Sequence, residues 1–394
     1  MNIKRVGETF MVFLRLGCFS FGGPIAHLGY FQEAFVTRRQ WVTQSRLADL
    51  VALSYFLPGP SSSQVGFAIG LERAGIAGGI AAWVGFTLPS ACMMYAVAIT
   101  VLYPGELSNA GWLQGLKAAA TAVVALASIQ MFALLAPDTR RKVLAIAAGL
   151  FSFVLRDTIA PGWVLLIGAV LGLFALTSQE ARETLATHFT SPISKGVAVI
   201  ALALFACCML VTWTPWALFA QSGSLVFGGG HVLLPLLETR FVLGGLIDEN
   251  TFLAGYGVAQ AIPGPLFAFA AFLGAISDLR VSPVLGASVA TCAIFIPGLL
   301  LMTAALPFWD TLKHRTWARA MLSGVNAAVV GLLFAAIVGS IAPALLIRTF
   351  GNLLVGPTTI MILICLGAFA LLRRKRIPVP AIVALCALTG WLLL

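Results

Sequence analysis

Residues 54–67 read SYFLPGPSSSQVGF. Pro58-Gly59-Pro60 and four polar residues, Ser61, Ser62, Ser63 and Gln64, interrupt an apolar stretch. Residues 260–272 repeat the interruption as QAIPGPLFAFAAF, with Pro263-Gly264-Pro265 at its centre. Proline removes a backbone donor and clashes with the preceding turn, and glycine loosens the chain. A helix through either stretch breaks at the motif, and a new helix can begin just after it. Following Pro60, the first free N–H groups belong to Ser61–Gln64. No water in a bilayer satisfies them, so such a break must be buried in protein or line a cavity. A helix N-terminus suits an anion, and three hydroxyls and an amide add donors. Following Pro265 comes LFAFAAF, which offers only backbone donors. That end shapes a cavity but is a poorer ligand site. A simple kink repaired by neighbouring helices is the alternative reading of both motifs.

The rest of the chain fits a bilayer. Of its 394 residues 60% are hydrophobic and 10% charged, with a mean hydropathy of +1.00. A soluble protein carries about 25% charged residues. Spanning the hydrocarbon takes about 20 apolar residues. Candidate segments fall at 7–28, 47–70, 74–102, 111–136, 142–156, 161–177, 196–212, 214–237, 251–276, 283–306, 318–347, 356–372 and 377–394. The expectation is an all-α polytopic membrane protein with about 13 transmembrane segments. The start, MNIKRVGETF, lacks a small-residue cleavage site, so no cleavable signal peptide is expected. The net charge of +10 sits in short loops between apolar segments, as cytoplasmic loops carry it, and nucleic acid is not an expected partner. All seven cysteines lie in apolar runs and read as small hydrophobes. No metal and no cofactor is expected.

The second half repeats the first. GCFSFGG at 17–23 matches GSLVFGG at 223–229, LPGP at 57–60 matches IPGP at 262–265, and Glu33 matches Glu238. Each PGP is followed by a proline-containing span, AAWVGFTLPSACMM at 81–94 and VATCAIFIPGLLLM at 289–302. Internal repeats of this kind mark transporter folds. The division is 1–177, an N-terminal half; 178–212, a linker with a connecting segment; and 213–394, a C-terminal half. With the N-terminus cytoplasmic and every segment crossing, sixteen Lys and Arg fall in inside loops. Six fall outside, namely Arg38, Arg39, Arg46, Arg156, Arg280 and Arg348. This bias orients the chain and makes the two halves inverted repeats, with the C-terminus outside.

Other residues join the candidate site. A second break is expected at Phe21-Gly22-Gly23 and at Phe227 with Gly228, Gly229 and Gly230, with His27 and His231 close by. Arg15 lies in an apolar run one turn before the first of these breaks. A charge there is costly and should face a bundle interior, unless it snorkels to the interface. Arg38 and Arg39 are candidates for an anion vestibule, against the plainer reading of a solvated loop. Glu33 and Glu238 are candidates for proton coupling, and in the reading of a proton-coupled sulfate importer His27 and His231 join them.

Several of these stretches resemble the chromate ion transporter family: FLRLGCFSFGGPIAHL at 13–28, FLPGPSSSQ at 56–64, ERAGIAGGIAAWVGFTLPS at 72–90, FGGGHVLLPLLE at 227–238 and AIPGPLFAFAAFLG at 261–274. The resemblance covers both halves. It implies a long-chain, two-domain chromate transporter that exports chromate from the cytoplasm and confers resistance, with sulfate a related oxyanion. The family's motif positions fall on Phe21–Gly23, Pro58–Pro60, Gln64, Phe227–Gly230 and Pro263–Pro265.

The residues alone agree with a secondary anion transporter of the inner membrane. No P-loop is present, and none is needed for efflux. A dianion leaving an inside-negative cell gains about 4.6 kcal/mol per 100 mV, roughly three decades of gradient. The rivals are a proton-coupled sulfate importer or exchanger, an anion channel, and an intramembrane enzyme. The last lacks HExxH, GxSxG or clustered intramembrane carboxylates. The partners expected are the oxyanion and the bilayer. A homodimer is one assembly open to the chain; the sequence does not fix it.

Overall fold

The computed structural model describes residues 3–21, 23–102, 111–155, 161–176, 191–211, 214–227, 233–277, 281–312, 315–336, 357–374 and 377–394. Every regular element among them is helical. The first half holds α1 (Ile3–Phe19), α2 (Gly23–Phe31), α3 (Gln44–Phe56), α4 (Ser61–Leu102), α5 (Gly111–Leu135), α6 (Thr139–Val154) and α7 (Pro161–Leu176). The connecting stretch holds α8 (Lys195–Leu210), and the second half holds α9 (Trp216–Ser224), α10 (Leu233–Phe241), α11 (Glu249–Ala261), α12 (Phe269–Ile276), α13 (Pro283–Ala305), α14 (Thr316–Ala336), α15 (Pro357–Arg374) and α16 (Val379–Leu393). Two stretches among the described residues are long and apolar enough to cross a membrane: Ser61–Thr100 in α4 and Pro283–Leu312, which begins with α13.

The chain forms two compact units, each built from both halves of the sequence. The first is Met1–Ile99, Arg182–Leu233 and Ile262–Ala318; the second is Thr100–Ala181, Leu234–Ala261 and Arg319–Leu394.

Besides the turn from α2 into α3, the first unit reverses direction three times in its opening hundred residues. After α1 the backbone breaks before Gly23, and α2 runs back along it. Phe13 of α1 lies against Phe31, at the end of α2, and Phe35, with ring centroids 5.7 and 4.8 Å apart. Such aromatic pairs contribute about 0.5–1.5 kcal/mol beyond simple burial. A wide-turn segment, Gln32–Arg38, continues α2. The second reversal is at the PGP motif. α3 starts on the Thr43 cap, whose hydroxyl accepts from the Arg46 amide, and stops where Leu57 turns extended (φ −93°, ψ 148°). The residue before a proline is pushed out of the helical region in just this way. At the far end of the returning helix, Arg46 Nε donates to Glu72 Oε1 at 2.9 Å. The third reversal splits α4 at Ala74 and Gly75, which leave helical geometry. Arg73 donates to Glu8 at 2.8 Å and lies 4.8 Å over the Trp41 ring. Glu8, Trp41, Arg46, Glu72 and Arg73 therefore gather at one end of this unit. The α1–α2 break and Pro58–Pro60 lie roughly 20 Å away along 13-residue helices.

The long second part of α4, residues 76–102, packs on α1 backbone to backbone. A Cβ on Gly17 would lie 2.6 Å from the Phe86 carbonyl, and one on Gly85 2.6 Å from that of Phe10. Small residues permit this approach, the usual means of joining helices where no water drives them together. The aromatic cluster Phe13, Phe31, Phe35 and Phe86 is fully buried and ties α1, α2, the wide turn and α4 into one core.

In the second unit α5 packs on α11, α15 and α16 around Leu116, Ala119, Ala254, Ala368 and Cys386. Lys117 is buried there, and its ammonium donates to Asn250 at 2.8 Å and Gln114 at 3.3 Å.

Candidate functional site

The site is assembled from the breaks. At Pro58–Pro60 the turn closes on Gly59, whose φ of +129° suits glycine. A Cβ there would also lie 2.8 Å from Gln64 Nε2 and 3.0 Å from the Gly298 Cα. The α4 helix starts at once, and the Gln64 amide donates to the Pro60 carbonyl at 2.9 Å. The N–H groups of Ser61, Ser62 and Ser63 precede this first bond. They have no carbonyl within the helix to meet, and they sit at its positive end.

The side chains of that first turn divide into three kinds. Gln64 is fully buried, and both its N–H groups are committed to backbone: Nε2 donates to Pro58 O and to Gly298 O, each at 2.9 Å. Gln64 thus braces the turn and leaves only its Oε1 acceptor without a partner. Ser62 is bonded to His27, Oγ to Nδ1 at 3.1 Å, and the other ring nitrogen faces the Ser20 carbonyl at 3.2 Å. Ser61 and Ser63 are 3% and 1% exposed, and neither hydroxyl has a partner among the described residues. A buried hydroxyl without a partner is unfavourable by about 1–3 kcal/mol, and natural proteins keep few of them. Ser20 Oγ and Thr87 Oγ1 are in the same condition.

The second PGP motif repeats the geometry with different chemistry. Gly264 has φ +97°, and a Cβ there would meet Ser90 Oγ at 2.9 Å. Instead of an α-helix, a tight turn, Leu266–Ala268, follows Pro265. Phe267, Ala268 and Phe269 are buried. The two motifs are tied crosswise. Gly59 N donates to Val226 O at 2.7 Å, and Gly264 N donates to Ser20 O at 2.9 Å. Val226 and Ser20 each precede an FGG sequence. Each half's PGP turn is thus held by the residue before the other half's FGG. Gly298 and Ser90, which contact those turns, each follow the proline of the equivalent spans in α13 and α4.

The sequence-predicted residues are distributed unequally around this core. Pro58–Gln64, His27 and Pro263–Pro265 come together, and Gly23, in the left-handed region at φ +75°, opens α2 beside them. Arg15 does not join them. The buried face of α1 is Thr9, Phe13 and Gly17, and Arg15 is exposed on the opposite side. Arg38 and Arg39 are exposed at the far end of the α2 reversal, and Arg38 Nε is paired with Glu33 at 2.7 Å. Glu238 is buried in the second unit. Gly22, Gly228, Gly229, Gly230 and His231 lie outside the described residues. Sequence reasoning missed Ser20, Ser90 and Gly298. Their signal was positional: Ser20 immediately precedes FGG, and the other two follow Pro89 and Pro297 in the repeated spans. Among the described residues no group of His, Cys, Asp and Glu is arranged to hold a metal ion.

The described first turn can therefore accept an anion on backbone N–H groups and two free hydroxyls. Comparison with known proteins supplies a family. The chromate transporter family profile matches residues 7–173 and 213–391. A chromate transport protein of Cupriavidus metallidurans is 27% identical over 97% of this chain and 92% of its own. One from Pseudomonas aeruginosa is 26% identical over 98% and 92%, and an uncharacterised transporter of Methanocaldococcus jannaschii is 27% identical over 83% and 82%. No solved structure matches. The profile covers most of both halves, and the chain belongs to the chromate transporter family.

Proposed function

We propose that this protein is a secondary transporter that exports chromate across the inner membrane and so confers chromate resistance. The tetrahedral dianion is held by the first turn of α4. The observation that carries the reading is the pair of buried, unpartnered hydroxyls, Ser61 and Ser63, beside three N–H groups at a helix N-terminus. A tetrahedral oxyanion offers acceptors in several directions at once, which suits donors fanned around one turn. The curated relatives named for chromate transport supply the substrate. Labelled chromate uptake into proteoliposomes, with imposed voltage, tests it. Flux should saturate, and positive voltage on the receiving side should speed it. Absence of chromate flux in sealed vesicles containing folded protein rejects the assignment.

The ion pair between Arg46 and Glu72 supports a revised path through the membrane. A segment 47–70 that crossed would put these residues on opposite faces. In the proposed path α1–α2 and α3 with residues 61–73 are two re-entrant pairs, entering and leaving on the cytoplasmic side with their breaks at mid-membrane. Residues 76–102 then cross. Broken backbone at that depth is tolerated because each break is buried against another. Arg38, Arg39 and Arg46 move to the cytoplasmic face, the same path in the second half moves Arg240 outside, and the Lys and Arg count becomes eighteen inside to four outside, a stronger bias than before. The doubled family match, at 7–173 and 213–391, and the crosswise bonds support two repeats of opposite orientation whose breaks meet.

A further inference from the structure

His27 is 1% exposed and sits between the two breaks of the first half. We propose that it couples one proton to oxyanion binding at the first turn of α4; the inference rests on the site proposed above. The geometry sets the starting state. The Ser20 carbonyl can only accept, so Nε2 carries the proton that faces it at 3.2 Å. In the neutral ring Nδ1 is then bare, and it accepts the Ser62 hydroxyl at 3.1 Å. Ser62 has one hydroxyl proton, and it points at the ring. The turn is left with Ser61 and Ser63 as free hydroxyl donors.

Adding a proton to Nδ1 reverses that bond. Nδ1–H now donates to Ser62 Oγ, and the Ser62 hydroxyl proton turns outward to the anion. The site gains a third hydroxyl donor, and a positive charge lies one hydrogen bond from it. A charge on so buried a ring needs a counter-charge, which the dianion supplies. Proton and oxyanion therefore favour each other's binding, and the effect is reciprocal. No bond other than N–H and O–H changes, and the proton comes from water.

Among the described residues, the groups in contact with the ring do not titrate. Its neighbours are Ser20 from the α1–α2 break, Ser62 from the start of α4, and Phe86 from residues 76–102, edge-on at 5.1 Å. Three glutamates of the adjoining elements are paired elsewhere. Glu8 pairs with Arg73, Glu33 with Arg38 and Glu72 with Arg46. Arg15 and Tyr30 are exposed, Asp49 of α3 is buried, and the hydrogen bonds of His27 among the described residues go to Ser62 and Ser20.

Sulfate is the probe, because its charge does not change over the pH range used. Its half-saturation is measured in reconstituted full-length protein between about pH 5 and 8, where histidine changes charge. Wild-type half-saturation should rise with pH, approaching about tenfold per pH unit, the limit for one linked proton. His27→Gln, whose amide can still bridge Ser20 and Ser62, should flatten that dependence. A pH-independent wild type, or an undiminished slope in His27→Gln, overturns the proposal. If His27→Gln does not fold, the wild-type slope still decides. The Ser61→Ala/Ser63→Ala variant separates the two levels of inference. Weakened binding with the wild-type slope supports both the site and the coupling. Unweakened binding rejects the site itself.

Discussion

The amide of Gly59 donates to the carbonyl of Val226 at 2.7 Å, across 167 residues of sequence. Its counterpart joins Gly264 to Ser20. Each PGP turn thus has its glycine amide satisfied by the other half. This is how a broken helix becomes a fixed feature instead of a flexible one. Removing backbone pairing inside a membrane is unfavourable by several kcal/mol per group.

The two PGP glycines should tolerate no side chain. Gly59→Ala and Gly264→Ala place a Cβ in the left-handed region and against Gln64 or Ser90. Strain of about 1–3 kcal/mol is expected at each. Gly29→Ala, in an open helical position, should be neutral or slightly stabilising. Thermal unfolding in detergent compares the three. A Gly59→Ala protein as stable as Gly29→Ala would mean that the turn is not held as described.

Gln64 should behave as a brace. Gln64→Leu leaves the carbonyls of Pro58 and Gly298 without their shared donor. A loss of about 1–3 kcal/mol in stability is expected, seen as a lower unfolding temperature before any change in substrate affinity. Full stability with weakened chromate binding would instead make Gln64 a ligand.

Residues 45 and 76 should face the same side of the membrane. Ser45 and Ile76 are exposed and flank the joined ends at Arg46, Glu72 and Arg73. In a background with the native cysteines replaced, Ser45→Cys and Ile76→Cys should both react with an impermeant thiol reagent applied from the cytoplasmic side. Labelling from opposite sides would restore a crossing between them.

The sequence and the structure part company for definite reasons. Both breaks were legible, because proline and glycine act on their own backbone wherever the chain goes. The path around them was not. The apolar run 47–70 has the length of a crossing, and hydropathy cannot tell one long helix from two short ones folded back at Gly59. Only the contact between Arg46 and Glu72 does so, and it joins residues 26 apart. Gln64 read as a donor for a ligand because polar residues after PGP suggest one. Its actual partner, Gly298, is 234 residues away. Ser62 likewise cannot be distinguished from Ser61 and Ser63 by type; His27 distinguishes it. Arg15 looked inward because a charge in an apolar run should. The face it occupies is set by Phe13 and Gly17, two residues to either side.

Oxyanion shape should matter more than charge alone. Donors fanned around one turn match a tetrahedral dianion, so sulfate should inhibit chromate flux far more than nitrate, which is planar and monovalent. Equal inhibition by the two would indicate a diffuse positive field in place of a shaped site.

The most direct test is the half-saturation for chromate of Ser61→Ala/Ser63→Ala in proteoliposomes, normalised to the protein inserted. Both hydroxyls lack partners among the described residues, so their removal should leave stability unchanged or improved. A lost hydrogen bond to a charged ligand is worth about 1.5–3 kcal/mol, roughly 10- to 150-fold in affinity per strong contact. Half-saturation should therefore rise at least tenfold, while conservative apolar replacements at Leu266 and Phe267 leave it unchanged. A serine variant that keeps wild-type half-saturation, with the Leu266 and Phe267 variants losing it, would place the oxyanion at the other PGP turn and contradict the assignment made here.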